Sequence, residues 1–260
     1  EMKGIMEDHV IPFLRQNFRR ESICHRTIMT AGLGESFIAE RIMSLEENLP
    51  SHIKLAYLPN NWMVRLRLTG RGDDEIRLIK EVERYAGELA EMLQDIVVAM
   101  EDLSLEHLIG KQLATQEKTL GLAESCTGGH IAHKITQVMG SAKYFNGSIV
   151  SYQNETKKKL VNVDGQLLEE KGAVSEEVAA AMARGARKNL NADFGLGITG
   201  LLSPGGDDGD VPVGTVWMGV CDADTVKTKK IHVPYDRLKN KEIATDMALL
   251  LLWKFINKKV

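Results

Sequence analysis

The spacing of apolar positions divides the chain into two stretches with different element orders. In the first hundred residues it predicts a strand at 27–30, a helix at 35–45, strands at 53–58 and 62–68, a helix at 74–93 and a strand at 96–99. Val64, Leu66 and Leu68 alternate with Arg65 and Arg67 as a half-buried strand requires, and Pro59-Asn60-Asn61 forms the turn before them. The order is βαββαβ, that of a small α+β domain. Residues 1–20 read as a lone amphipathic connecting helix with Ile5, Val10 and Phe13 apolar and Pro12 within it. After the polar stretch 101–105 a helix is predicted at 105–117, then strands at 119–124, 149–152, 194–199, 214–220 and 228–233. The helices between and after them are 130–138, 154–161, 175–190 and 238–257. This alternation predicts a three-layer α/β/α sandwich with a mixed, mostly parallel sheet, because the last two strands lack an intervening helix and must pair antiparallel. The expected domains are 1–20, 21–103 and 104–260.

Composition adds little specificity but excludes several classes. With 43% hydrophobic and 27% charged residues, a chain of 260 residues can bury two ordinary cores. A net charge of -3 and a pI near 6.2 give no bulk reason for nucleic-acid or membrane binding. Cys24, Cys126 and Cys221 are too scattered for a disulfide framework or a zinc site, so a cytoplasmic location is expected. The longest apolar run, 247–253, is too short to span a bilayer, and the start has no signal-peptide pattern. The chain opens on Glu1, which suggests a piece of something longer.

The densest chemistry lies in Ala123-Glu-Ser-Cys-Thr-Gly-Gly129, where a buried strand runs through a glycine turn into a helix. Ser125 then sits at a strand-to-helix junction, either as an outward-presented nucleophile or as a plain helix cap. Two more glycine turns, Thr199-Gly200 running into Ser203-Pro204-Gly205-Gly206 and Val213-Gly214-Thr215, belong to the same sheet, whose strand ends form the natural ligand crevice. Serine needs a base. His130 and His133 follow on the helix flank, His107 and His232 lack a supporting pattern, and no Gly-x-Ser-x-Gly elbow is present. The remaining candidate is the run Ser151-Tyr-Gln-Asn-Glu-Thr-Lys-Lys-Lys159. With Asn154 as N-cap, Lys157 falls in the first helical turn, where the positive helix end and the neighbouring lysines favour a neutral amine. Only one of the three lysines can face a shared site, and a solvated basic face is the competing reading.

From about residue 105 onward the chain resembles the C-terminal domain of the competence- and damage-inducible CinA family, the nicotinamide mononucleotide deamidases. The resemblance rests on Ala-Glu-Ser-Cys-Thr-Gly-Gly (123–129), Tyr-x-Asn-Glu-x-Lys (152–157), Gly-Ala-Val-Ser (172–175), Gly-Ile-Thr-Gly (197–200), Pro-Gly-Gly (204–206) and Pro-Val-Gly-Thr-Val (212–216). The first hundred residues resemble that family's KH-like domain, with Gly32-Leu-Gly-Glu-Ser36 as the best motif. Glu1-Met2-Lys3 resembles the tail of an upstream molybdopterin-type domain, whose pyrophosphatase activity would be absent with its body.

The resemblance implies hydrolysis of the carboxamide of nicotinamide mononucleotide to the acid and ammonia, with no cofactor or metal. Ser125 would be the nucleophile, Lys157 its base, and Tyr152 a hydroxyl that relays protons or holds the lysine. Substrate-binding candidates are Cys126, Thr127, Gly128, Gly129, Asn154, Thr199, Gly200, Gly205, Gly206, Arg237 and Lys241, the last two and the 205–206 loop as phosphate seats. Asp207, Asp208 and Asp210 read as a solvated loop tip rather than a metal cluster. The partner expected is a small nucleotide, with neither membrane nor nucleic acid, and a homo-oligomer such as a dimer. The alternative function is a non-catalytic nucleotide- or single-stranded nucleic-acid-binding module. The chain departs from the family pattern at Leu202-Ser203-Pro204, where Ala-Gly-Pro is usual, at Val211-Pro212 in place of Lys-Pro, and at Lys241 in place of arginine, which lacks a bidentate fork.

Overall fold

A computed structural model describes residues 2–17, 21–204 and 211–258. The chain divides into two compact units, Glu1–Asp102 and Leu103–Val260.

The first unit opens with α1 (Met2–Ile5), a π-helical turn (Met6–Val10) and α2 (Ile11–Asn17). The single helix expected here is broken into pieces because Pro12 supplies no N–H and its ring crowds the carbonyl four residues back. There follow β1 (Ser22–Ala31), α3 (Glu35–Glu47), β2 (Ile53–Asn60), β3 (Met63–Gly72), α4 (Glu75–Met92) and β4 (Val97–Ala99). The strands form one antiparallel sheet in the order β2-β3-β1-β4. Ile28, Leu66 and Leu68 from its inner face pack with Ile38 and Ile42 of α3 and Val82 and Leu89 of α4.

The second unit contains α5 (Leu105–Gln116), β5 (Leu120–Glu124), α6 (His130–Thr136), β6 (Phe145–Val150), α7 (Asn154–Val161), α8 (Gly165–Lys171) and α9 (Glu176–Asn189). β7 (Phe194–Gly200), β8 (Thr215–Cys221), β9 (Val226–His232) and α10 (Arg237–Ile256) complete it. Sheet order is β6-β5-β7-β8-β9, parallel across the first two pairings and antiparallel across the last two. Four of its five strands therefore run the same way. α7, α8 and α9 cover one face, and α5, α6 and α10 the other, giving the three-layer sandwich. Among the described residues no helix is long and apolar enough to cross a membrane.

Two differences from the sequence expectation have local causes. β6 starts at Phe145, earlier than expected, because Asn146 and Gly147, the latter at φ +144°, disguise an edge strand. α8 was not anticipated, although Asp164 caps it by accepting from the Gln166 amide at 2.9 Å.

The parallel half of the sheet is positioned by α9, whose Ala179, Ala183 and Ala186 are fully buried. At Gly197 of β7 a Cβ would fall 2.5 Å from the Ala183 nitrogen and 2.6 Å from the Ala179 oxygen, so the helix rests directly on strand backbone. Gly197→Ala is expected to lower unfolding stability by about 2 kcal/mol in urea titration. Gly87→Ala on α4, where nothing lies within 4 Å of the added atom, should raise it by about 0.5 kcal/mol.

Candidate active site

β5 is buried from end to end and finishes on a charged residue. Glu124, wholly buried, accepts five hydrogen bonds: from Thr127 Oγ1 at 2.8 Å, the amides of Gly129 (3.0 Å), Ile131 (3.0 Å) and Ala132 (2.9 Å), and Ser148 Oγ at 3.1 Å. Its carboxylate thus caps the start of α6 from inside and offsets the positive helix end. Gly129, at φ +94°, lets the chain bend back over the carboxylate. Main-chain bonds fix the same point laterally, with the Ser125 amide donating to Ile198 O (3.0 Å) and the Ser151 amide to Glu124 O (2.8 Å). The ends of β6, β5 and β7 are thereby brought together, with Ser125 on the middle strand.

A pocket of about 450 Å³ opens over these ends, lined among others by Ser125, Cys126, Tyr152, Asn154, Lys157, Thr199, Gly200 and Arg237. Lys157 is only 2% exposed and donates through Nζ to the Tyr152 carbonyl at 3.1 Å. Of its neighbours, Lys159 is exposed and Lys158 pairs with Glu155 at 2.7 Å, so α7 turns one lysine inward. Gln153, rather than Asn154, is the N-cap residue of α7, which makes Asn154 the first helical residue on the pocket wall. The Tyr152 hydroxyl accepts from Arg237 at 2.8 Å, and its backbone carbonyl accepts from the lysine. Thr199 Oγ1 donates to Ala173 O at 2.7 Å.

Other expected residues lie elsewhere. Thr127, Gly128 and Gly129 do not line the pocket: Glu124 accepts from Thr127 Oγ1 and the Gly129 amide, and Gly128 is exposed. The amides of Ser125, Gly128, Gly129 and His130 are already bonded within the protein. Of this turn, Ser125 and Cys126 are the residues that line the pocket. Lys241, one helical turn beyond Arg237, lies outside the pocket and acts electrostatically on His130. The imidazole of His130, lowered in pKa chiefly by burial, contacts Thr245 Oγ1 at 3.1 Å and also stays outside. The turn at Gly214 supports the pocket from behind, its amide donating to Leu201 O at 2.6 Å. Gly205, Gly206, Asp207, Asp208 and Asp210 lie outside the described residues.

Sequence reasoning named Ser203 and Pro204 only within a glycine turn at the crevice, and missed Gln153, Ala173, Val174, Leu201 and Leu202. It also missed two supports. One is Glu124, signalled by an acidic residue closing an apolar run. The other is the fully buried Asn240, whose Nδ2 donates to Leu202 O (3.0 Å) and Tyr235 O (2.8 Å) while Oδ1 accepts from the Tyr235 amide (3.0 Å).

The Cys126 thiol is pushed up to about 12, mainly by burial and further by Glu124, against opposing effects of its own backbone amide first and then of Lys157 and Arg237. The thiol beside Ser125 is therefore protonated at neutral pH and a poor nucleophile. A second depression, about 550 Å³ and bordered by Leu45, Arg84, Tyr85 and Glu88, offers no serine with a buried amine beside it.

Fold and site define a class: a three-layer α/β/α domain with a polar, small-molecule-sized pocket at its strand ends, preceded by a small α+β domain. Residues 102–256 match the profile of the CinA C-terminal domain and residues 25–99 that of the damage-inducible protein CinA KH domain; the chain belongs to the CinA family. The CinA-like protein of Flavobacterium psychrophilum is 40% identical over 259 residues, 99% of this chain and 62% of that protein. The CinA-like protein of Cytophaga hutchinsonii is 38% identical over 252 residues, 97% of this chain and 60% of that protein. This chain thus spans about three fifths of these curated relatives. A competence-damaged protein (CinA) superfamily protein from Escherichia coli has a crystal structure similar at TM-score 0.54 and 35% identity, covering 57% of this chain and 90% of that one.

Glu124→Ala would strand five donors and should cost about 3 kcal/mol or more in guanidinium unfolding. Iodoacetamide at pH 8 should leave Cys126 unmodified in the native protein and alkylate it after denaturation, as read by peptide mass analysis.

Proposed function

We propose that the second unit is an amidohydrolase that releases ammonia from the carboxamide of nicotinamide mononucleotide. The observation that carries this reading is a serine hydroxyl and a nearly inaccessible lysine amine, from different elements, on one pocket at the strand ends. A serine attacks only when a base takes its proton, and the Lys157 amine, which donates to Tyr152 O, is the base in this reading. Ser125 Oγ bonds to the carboxamide carbon while its proton passes to Lys157 Nζ. The tetrahedral oxyanion faces the Cys126 amide. Collapse breaks the carbon–nitrogen bond, and the lysine returns the proton to the departing ammonia. Water, deprotonated by the same amine, then opens the acyl-serine and frees the carboxylic acid. Arg237 is the seat for the substrate phosphate.

Purified protein should release ammonia from nicotinamide mononucleotide, and Ser125→Ala or Lys157→Ala should each cut kcat about ten-thousandfold with little loss of stability. Because the base must be unprotonated, kcat/KM should fall as pH drops, and Cys126→Ala should retain turnover. Undiminished turnover in either the serine or the lysine variant would sink the mechanism. Salt-sensitive binding of single-stranded RNA with no ammonia release would favour a non-catalytic module.

A further inference from the structure

Arg237 is the first residue of α10, and its side chain is exposed, a setting in which a long guanidinium ordinarily samples many rotamers. Here it is fixed. Its NH1 donates to Ser203 Oγ at 2.7 Å and its NH2 to Tyr152 OH at 2.8 Å, so it bridges the loop after β7 and the segment after β6. Ser203 is the better anchored acceptor. The preceding Leu202 is 2% exposed and held through its carbonyl by buried Asn240, and the Leu201 amide donates to Thr215 O at 2.9 Å. Tyr152, by contrast, is 55% exposed.

Both acceptors are neutral hydroxyls, so the bridge orients the guanidinium without cancelling its charge. Two of its five N–H donors are engaged by described residues, and a planar fork held in one orientation suits a phosphate monoester. An anion arriving at an unrestrained arginine would first have to order it.

We infer that Ser203 is a specificity-determining residue, setting how tightly the pocket holds an anionic substrate group by fixing the orientation of Arg237. The inference deepens the amidase reading, from which it takes its substrate, but the anion seat it describes binds phosphate whether or not the chain is an amidase.

The test is steady-state turnover by the whole 260-residue chain with nicotinamide mononucleotide and with nicotinamide riboside, which lacks the phosphate. Ser203→Ala should raise KM for the phosphorylated substrate about fivefold, leave its kcat within about twofold and leave KM for the riboside unchanged. Ser203→Thr, which keeps the hydroxyl, should restore KM. An unchanged KM for the phosphorylated substrate, or an equal rise for both substrates, overturns the inference. If the native chain turns over neither, the amidase reading fails, and titration calorimetry with inorganic phosphate decides the matter instead. About fivefold weaker binding in Ser203→Ala then supports the inference, whereas equal binding, or no binding by the native chain, overturns it.

Discussion

A buried carboxylate cannot be left without donors, and the second unit is organised around satisfying one. Glu124 takes five hydrogen bonds from the following turn, the start of α6 and the adjacent β6. Removing an ionised group from water costs several kcal/mol unless such partners are supplied, so the carboxylate tolerates little rearrangement around it. The residue after it inherits that rigidity. Ser125 is held at the strand end by constraints on its predecessor and by its own amide's bond to Ile198.

The same arrangement decides where negative charge can bind. In many α/β proteins the first helix start after a strand receives the ligand's anion. Here the protein's own side chain occupies that position. Positive character in the pocket comes instead from Arg237 at the start of α10. The buried thiol of Cys126 is pushed up by burial and by Glu124, which outweigh the effects that lower it. A nucleophile at this turn must be the oxygen, not the sulfur.

Most of the architecture was legible because it depends on periodicity. Alternation in Val64–Leu68 marks β3, and the inward face of α9 carries the small residues that let it approach Gly197. What escaped notice carried weak local signals, such as the polar start of β6 at Asn146-Gly147 and the seven-residue α8. For the site, the motifs led to Ser125, Tyr152, Lys157, Thr199 and Arg237, which share the pocket. They misled at Thr127 to Gly129, because a sequence does not tell whether a helix's first amides face outward or are already taken by a side chain such as Glu124. Lys241, one turn along α10 from Arg237, is not among the residues that line the pocket.

Asn240 has a mechanical consequence. By holding Leu202 and Tyr235 to one side chain, it makes the Leu201–Ser203 rim and the head of α10 a single rigid jaw. The start of α7 at Gln153, by contrast, has no side-chain cap, and its link to that jaw runs through the Arg237 bond to the Tyr152 hydroxyl.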